Sequence, residues 1–69
     1  MATAKVRDVL KMLGRDGWWL ERQVGSHRQY RHNTKPGTVT VPGHASDTLG
    51  HGLVASVLRQ AGLTLEDLK

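Results

Sequence analysis

Two stretches with the apolar period of an α-helix, one near each end of the chain, constrain its fold more than any other feature. In both, apolar residues recur at i, i+3, i+4 and i+7: Val6, Val9, Leu10 and Leu13 in the first, and Val54, Val57, Leu58 and Ala61 in the second. A helix with one apolar face must pack that face against another layer. The residues between the two helices must therefore supply the layer that both helices cover.

Local signals set approximate ends for these helices. Thr3 is placed to cap the first helix, and Gly17 suits the left-handed conformation that closes a helix. The second helix is predicted to run from about Gly52 to Ala61, with Gly62 as its stop.

The middle of the chain has the composition of three short strands, over residues 18–24, 27–32 and 38–41. The dipeptide Gly25-Ser26 between the first two suits a hairpin turn. Consecutive strands joined by tight turns pair antiparallel. The predicted fold is therefore α+β in the order α-β-β-β-α, a three-stranded antiparallel sheet with two helices on one face.

Alternation along the first strand predicts which side chains face the helices. Trp18 and Leu20 are expected in the core, whereas Trp19 and Gln23 share the opposite face, which stays open to solvent or a ligand. An exposed Trp19 could stack on a nucleic-acid base. Burial in the core is the commoner role of a tryptophan, so both interpretations stand at this point.

Length and composition narrow the class of protein. The chain has 69 residues, no cysteine and no apolar run longer than three residues. We therefore expect a single domain over 1–69, without disulfides or thiolate metal sites. An apolar run this short cannot form a transmembrane helix or the core of a signal peptide, so we expect a cytoplasmic protein that does not bind membranes.

Basic charge is concentrated in the first half of the chain. Residues 1–35 hold eight Lys+Arg and three Asp+Glu, a balance of +5, whereas residues 36–69 hold two and three, a balance of −1. A basic half of this kind is typical of proteins that bind a polyanion such as nucleic acid.

The spacing of polar residues disfavours several kinds of site. No two of the four histidines have the spacing usual for zinc ligands, and the only adjacent carboxylates are Glu66 and Asp67 near the end. The pair Ser26-His27 lacks a recognisable third member of a serine triad. We therefore expect neither a bound metal nor any other cofactor.

One histidine lies in a basic environment that suits RNA cleavage. RNA carries its own nucleophile, the 2′-hydroxyl group, so its cleavage needs a base, an acid and cations near the phosphate. His27 can exchange a proton near neutral pH, and Arg22, Arg28 and Arg31 can neutralise phosphate charge. The alternative is that His27 is an exposed hairpin residue without a role.

Three further residues are weaker candidates for the same site. Lys35 is expected at the rim of the RNA-binding surface, and Ser26 could hold the turn or donate a hydrogen bond. His44, which follows the third strand, is either a second acid/base group or a simple loop residue.

Four sequence motifs together resemble those of the HicA (YcfA-like) toxin family. They are DGW at residues 16–18, GSHRQYRH at 25–32, VTVPGH at 39–44 and SVLRQAGL at 56–63. The match runs in the family's order over nearly the whole chain. Each motif alone is weak, but the combination is specific.

The resemblance implies a function as well as a fold. It implies a double-stranded-RNA-binding-domain-like fold and a ribonuclease toxin of a type II toxin–antitoxin system that cleaves mRNA and arrests translation. It also implies that His27 is the catalytic histidine and that a HicB-type antitoxin covers the active site. We expect the free toxin to be a monomer.

Two other functions remain open from the sequence. A non-catalytic RNA-binding module would have the same fold, but such modules usually carry a Lys-rich start to the second helix, and this helix holds only Arg59. A protein-interaction module without any nucleic-acid role would not bind RNA even at low salt.

Overall fold

The computed structural model describes residues 2–68 and contains two α-helices. The described elements in chain order are β1 (Ala4–Lys5), α1 (Val6–Arg15), β2 (Trp19–Val24), β3 (His27–Arg31), β4 (Val39–Val41), β5 (Thr48–Leu49), α2 (His51–Ala61) and a 3-10 helix (Leu65–Leu68). The predicted order of helix, three strands and helix is thereby confirmed, as is the α+β class. No helix within residues 2–68 has the length and apolar character to cross a bilayer.

The main sheet has the antiparallel order β2-β3-β4. Tyr30 on β3 lies opposite Leu20 on β2 and Val39 on β4. Residues that lie opposite each other project from the same face of a sheet, and Tyr30, Val39 and Val41 are buried. This face of β3 and β4 therefore belongs to the core, and burial raises the pKa of the Tyr30 hydroxyl.

The two helices complete the core as their apolar stripes predict. Buried residues of α1 are Val6, Val9, Met12 and Leu13, and those of α2 are Val54, Val57, Leu58 and Ala61. Gly62 has a φ of 68° and closes α2 in the left-handed conformation. The stripe predicted for α1 differs at Leu10, which is half-buried while Met12 takes the core position.

The start of α1 differs from the prediction because it is capped by a loop. Thr3 does not cap α1, since Lys5 occupies the N-cap position without a side-chain hydrogen bond. The Val6 and Arg7 N–H groups donate to the carbonyls of Asp47 and Ala45, at 2.9 and 3.1 Å. Backbone carbonyls thus accept the hydrogen bonds of N–H groups that a capping side chain would otherwise bind.

A second, two-stranded sheet was also missed. β1 pairs antiparallel with β5, and neither strand is among the three that the sequence predicts. Each strand has only two residues, which is too short to show a β-type alternation.

The prediction that Leu20 faces the core is wrong, whereas Trp18 is buried. Leu20 shares the face of Tyr30 by register, but its side chain is 46% exposed. It lies on β2, whose outer edge has no neighbouring strand among the described residues. Leu20 therefore extends past the area that the helices cover.

Four polar and aromatic side chains join the end of α1 to the end of α2. This Asp16 cluster consists of Asp16, Trp18, His32 and Lys35. The Asp16 Oδ2 atom accepts hydrogen bonds from Trp18 Nε1 at 3.1 Å and from Lys35 Nζ at 2.6 Å. Lys35 Nζ also donates to the carbonyl of Ala61, the last residue of α2, at 3.0 Å, where a cation is favoured.

His32 holds the cluster together through both of its ring nitrogens. Its Nδ1 atom accepts the N–H groups of Thr34 and Lys35, each at 3.1 Å. Nδ1 therefore carries no proton, and Nε2–H donates to the Asp16 carbonyl at 2.6 Å. The ring also packs edge-on against Trp18, with centroids 5.1 Å apart.

We expect Gly17→Ala to destabilise the fold by about 1–3 kcal/mol. Gly17 has a φ of 98°, and an added Cβ atom would lie 2.9 Å from His32 Nε2. Gly14→Ala is the matched control, because Gly14 lies within α1 and has open space around it. That change should stabilise the protein by about 0.5–1 kcal/mol. Urea unfolding measures both, and equal effects would contradict the assigned role of Gly17.

We expect Asp16→Asn to weaken the acid dependence of stability. The hydrogen bond from Lys35 holds the pKa of Asp16 below its usual 3.8. Its stabilising contribution is therefore present above that pH and is lost as the pH falls through the lower, folded-state pKa. Unfolding free energies of the wild type and Asp16→Asn should differ at neutral pH and begin to converge as the pH falls below 3.8. Asp8→Asn controls for loss of one exposed carboxylate, and a difference that stays constant with pH would refute the prediction.

Candidate active site

The hairpin turn between β2 and β3 places His27 at one end of the sheet. Val24 and His27 lie opposite each other, so Gly25 and Ser26 form a two-residue turn. Gly25 has a φ of 59° and Ser26 does not have a positive φ, which is the sign pattern of a type II′ turn. The Gln23 side-chain amide donates to the Gly25 carbonyl at 3.0 Å. The turn therefore fixes the backbone of His27, while its imidazole remains exposed.

Arg28 attaches this turn to the loop that follows β4. Its Nη1 atom donates to the Gly43 carbonyl at 2.8 Å and to the Ser26 carbonyl at 3.4 Å. Arg28 lies opposite Val41, so its side chain is on the core face of the sheet and not on the face of His27. The structure therefore places Arg28 where it organises the backbone of the site.

The same guanidinium group brings His44 to the end of the sheet that carries His27. His27 and His44 each follow directly a residue whose carbonyl Arg28 binds. The His44 backbone is fixed as well, because its N–H donates to Asp47 Oδ2 and its carbonyl accepts the Asp47 N–H, each at 2.9 Å. The imidazole of His44 is exposed in the resulting loop.

A β-bulge turns Arg22 onto the face of His27. Strict alternation predicts that Arg22 points to the same side as Trp18 and Leu20. The register shifts between Leu20 and Arg22, so that Glu21 has no partner and Arg22 lies opposite Gln29. Gln29 is two residues from His27 on β3, and the two therefore share a face.

The bulge thereby completes a continuous exposed surface. We call this surface the outer face; it comprises Trp19, Arg22 and Val24 on β2 and His27, Gln29 and Arg31 on β3. All six residues are exposed. The face carries one imidazole and two guanidinium groups, so it combines a proton-exchanging group with fixed positive charge.

The predicted rim residue Lys35 is not brought to this site. It belongs to the Asp16 cluster, next to His32 and beyond the far end of β3 from His27. The five residues of β3 separate the two ends by about 13 Å. The ammonium group is bound to Asp16 and to the end of α2, which accounts for this position.

Ser26 occupies the turn as predicted, but with its backbone rather than its hydroxyl engaged. Its carbonyl accepts the weak bond from Arg28. Within residues 2–68 its side chain makes no hydrogen bond, and the residue is half-buried. The hydroxyl thus remains available to a ligand.

The sequence reasoning did not single out Gln29 or Asn33. Gln29 lies between His27 and Arg31 on the outer face, and its even spacing from His27 along β3 could have indicated this. Asn33 accepts a hydrogen bond from Trp19 Nε1 at 3.1 Å. That contact joins residues 14 positions apart, and no local pattern would have predicted it.

Residues 2–68 contain no cluster of three or more His, Asp or Glu side chains that could hold a metal ion. The oxygen and nitrogen groups that the outer face offers are Gln29, His27 and two arginines. Such a set matches an anion better than a cation.

Comparison with models of protein families identifies a family to which the chain is similar. A family model described as "HicA toxin of bacterial toxin-antitoxin" matches residues 6–63, which are 58 of the 69 residues. The matched stretch contains both helices and the three-stranded sheet. No curated protein matches the chain.

We expect Arg28→Ala to destabilise the protein by about 1–2 kcal/mol, because two carbonyls lose a charged donor. Arg22→Ala and Arg31→Ala are matched controls from the same hairpin; both side chains are exposed on the outer face. These should change stability by no more than about 0.5 kcal/mol. Urea unfolding distinguishes the two groups, and equal losses from all three changes would contradict the separate position of Arg28.

Proposed function

The chain belongs to the HicA toxin family of bacterial toxin–antitoxin systems, and from that membership we propose that it is a metal-independent endoribonuclease that cleaves mRNA and arrests translation. The observation that carries the proposal is the exposed imidazole of His27 at the Gly25-Ser26 hairpin turn, with two arginines on the same face of the sheet. This arrangement supplies a proton-exchanging group and phosphate-binding cations together.

The proposed reaction uses the nucleophile that RNA itself provides. The neutral imidazole of His27 takes the proton of the 2′-hydroxyl group, and the 2′-oxygen attacks the adjacent phosphorus. The bond to the 5′-oxygen breaks, and an acid returns a proton to that leaving oxygen. The products are one strand that ends in a cyclic phosphate and one that begins with a 5′-hydroxyl group.

The neighbouring residues have distinct proposed roles. Arg22 binds phosphate oxygens and offsets the negative charge that develops at the phosphorus. Arg31 lies at the far end of β3 from His27 and binds a phosphate farther along the strand. Arg28 is a positioning residue, because it holds the turn that carries His27 against the loop that carries His44. His44 is the candidate acid, since it is exposed at the same end of the sheet.

Membership of this family also implies an antitoxin as a partner. We propose that this antitoxin is of the HicB type and neutralises the toxin by covering the outer face. The net charge of +4 favours a partner that presents acidic groups to that face. The toxin would act as a monomer in the cytoplasm, where its mRNA substrate is found.

A non-catalytic RNA-binding module is the second candidate, because the basic charge of the outer face alone suffices for binding. It predicts binding that does not depend on His27. A proton-exchanging side chain among the arginines favours the ribonuclease, since binding alone needs only the fixed charges.

We expect the wild type to cleave an end-labelled mRNA in the presence of EDTA and His27→Ala to lose this activity. His44→Ala should slow cleavage about 10²- to 10⁴-fold, the usual contribution of general acid–base catalysis. His51→Ala is the matched control, because His51 is also an exposed histidine but lies at the start of α2. Unfolding curves of all variants should match that of the wild type.

Three other outcomes of this experiment would contradict the proposal. Activity that is lost in EDTA and restored by a divalent ion would contradict the metal-independent mechanism. If the wild type and all variants bound the RNA but none of them cleaved it, the RNA-binding module would be favoured. Equal cleavage by the wild type and His27→Ala would assign the activity to other residues or to a contaminant.

A further inference from the structure

The outer face carries a large aromatic side chain that the proposed reaction does not use. Trp19 is 45% exposed, although tryptophan is among the most apolar side chains, whereas its neighbour Trp18 is 3% exposed in the core. Exposed aromatic rings are typical platforms for nucleic-acid bases. Trp19 therefore lies where a base could stack on its ring, beside the basic residues of the outer face.

A hydrogen bond holds the indole ring of Trp19 in one orientation. Its Nε1–H donates to Asn33 Oδ1 at 3.1 Å. Because the indole N–H can only donate, the Asn33 oxygen must face it, and the NH₂ group of Asn33 points elsewhere. Within residues 2–68 that NH₂ group has no hydrogen-bond partner. The ring is thus preorganised, with an unused donor beside it.

The position of Trp19 fits a nucleotide a short distance along the strand from the one that His27 would bind. Trp19 lies opposite Arg31, the residue at the far end of β3 from His27. The two ends of the outer face are about 13 Å apart, and Arg22 and Gln29 lie between them. A strand with its backbone along this row would place one phosphate near His27 and the base of a nearby nucleotide near Trp19.

We propose that Trp19, Asn33 and Arg31 form a subsite that binds one unpaired base of a single-stranded RNA. The base stacks on the indole ring, the Asn33 amide donates to an acceptor on the base edge, and the Arg31 guanidinium binds the adjoining phosphate. This inference rests on the proposed function for the identity of the polymer.

The subsite selects single strands over duplexes. In an A-form duplex each base is stacked between its neighbours and paired on its Watson–Crick edge, so neither its face nor that edge is free. An aromatic platform can bind only a base that leaves the stack. The duplex therefore lacks the group that Trp19 would bind, although its phosphates remain accessible to the arginines.

The test measures binding separately from cleavage, in the background of His27→Ala. The probes are a short single-stranded oligoribonucleotide, the same strand with an abasic site at each position in turn, and the duplex of the same sequence. Trp19→Ala should weaken binding of the intact single strand about 5- to 150-fold, the usual contribution of one stacked base. It should leave binding of the duplex unchanged.

Three further variants separate stacking from loss of structure. Trp19→Phe keeps an aromatic face and should restore most of the affinity that Trp19→Ala loses. Leu53→Ala is the matched control, because Leu53 is 47% exposed and lies on α2; it should bind RNA as the parent does. Asn33→Ala should weaken binding of the single strand less than Trp19→Ala does.

Salt dependence distinguishes the base contact from the phosphate contacts. Trp19→Ala should lower the affinity by the same factor at every salt concentration, since stacking releases no counterions. Arg31→Ala should instead reduce the salt slope by about one. A change of slope in Trp19→Ala would contradict the assigned role of the ring.

The outcomes separate this inference from the proposed function. If the wild type cleaves RNA but Trp19→Ala binds all probes as its parent does, the subsite is wrong and the ring belongs to a protein contact. If the subsite discriminates single strands as expected while no cleavage occurs, the subsite stands and the ribonuclease proposal fails. If Trp19→Ala weakened binding of the single strand and of the duplex equally, the proposed selection of unpaired bases would be wrong.

Discussion

The fold depends on the ring of His32, which accepts two backbone N–H groups on one side and donates to the end of α1 on the other. These bonds bring Lys35 to Asp16 and to the last carbonyl of α2. A chain of 69 residues buries too small a fraction of its surface for apolar packing alone to fix every element. The Asp16 cluster supplies directional contacts where the two helices and the sheet come together.

The sequence predicts those parts of the fold that depend on local periodicity. The apolar stripes of α1 and α2 and the alternation of Val39 and Val41 each repeat with the period of their element, and all three faces are buried. Contacts between distant segments leave no such signal. The cap that the loop after β4 provides for α1 and the β1–β5 pairing each join backbone groups that any residue carries. The Lys35 ammonium likewise binds a backbone carbonyl, that of Ala61, which has no signature in the sequence. Thr3 was misassigned for this reason, whereas Leu20 was misassigned because β2 is an edge strand and Leu20 extends past the area that the helices cover.

The sequence also cannot assign the separate roles of similar residues in the candidate site. Arg22, Arg28 and Arg31 are of one residue type within a single hairpin, and sequence reasoning gives them one role. The structure separates them, because a bulge moves Arg22 to the outer face while Arg28 binds two carbonyls on the core face. His27 could be selected from its sequence context because the Gly25-Ser26 turn that positions it is local. Arg31 shares the face of His27 by its even spacing along β3, but Arg22 could be assigned to that face only once the register was known.

The bulge at Glu21 has a consequence for the behaviour of the protein at high concentration. β2 is an edge strand of the main sheet, and all six of its residues are exposed. A regular strand of this kind is a template on which a second copy can pair, and such pairing is an early step of aggregation. The bulge interrupts the even ladder of N–H and C=O groups that such pairing needs. The irregularity that orients Arg22 therefore also protects this exposed edge from self-association.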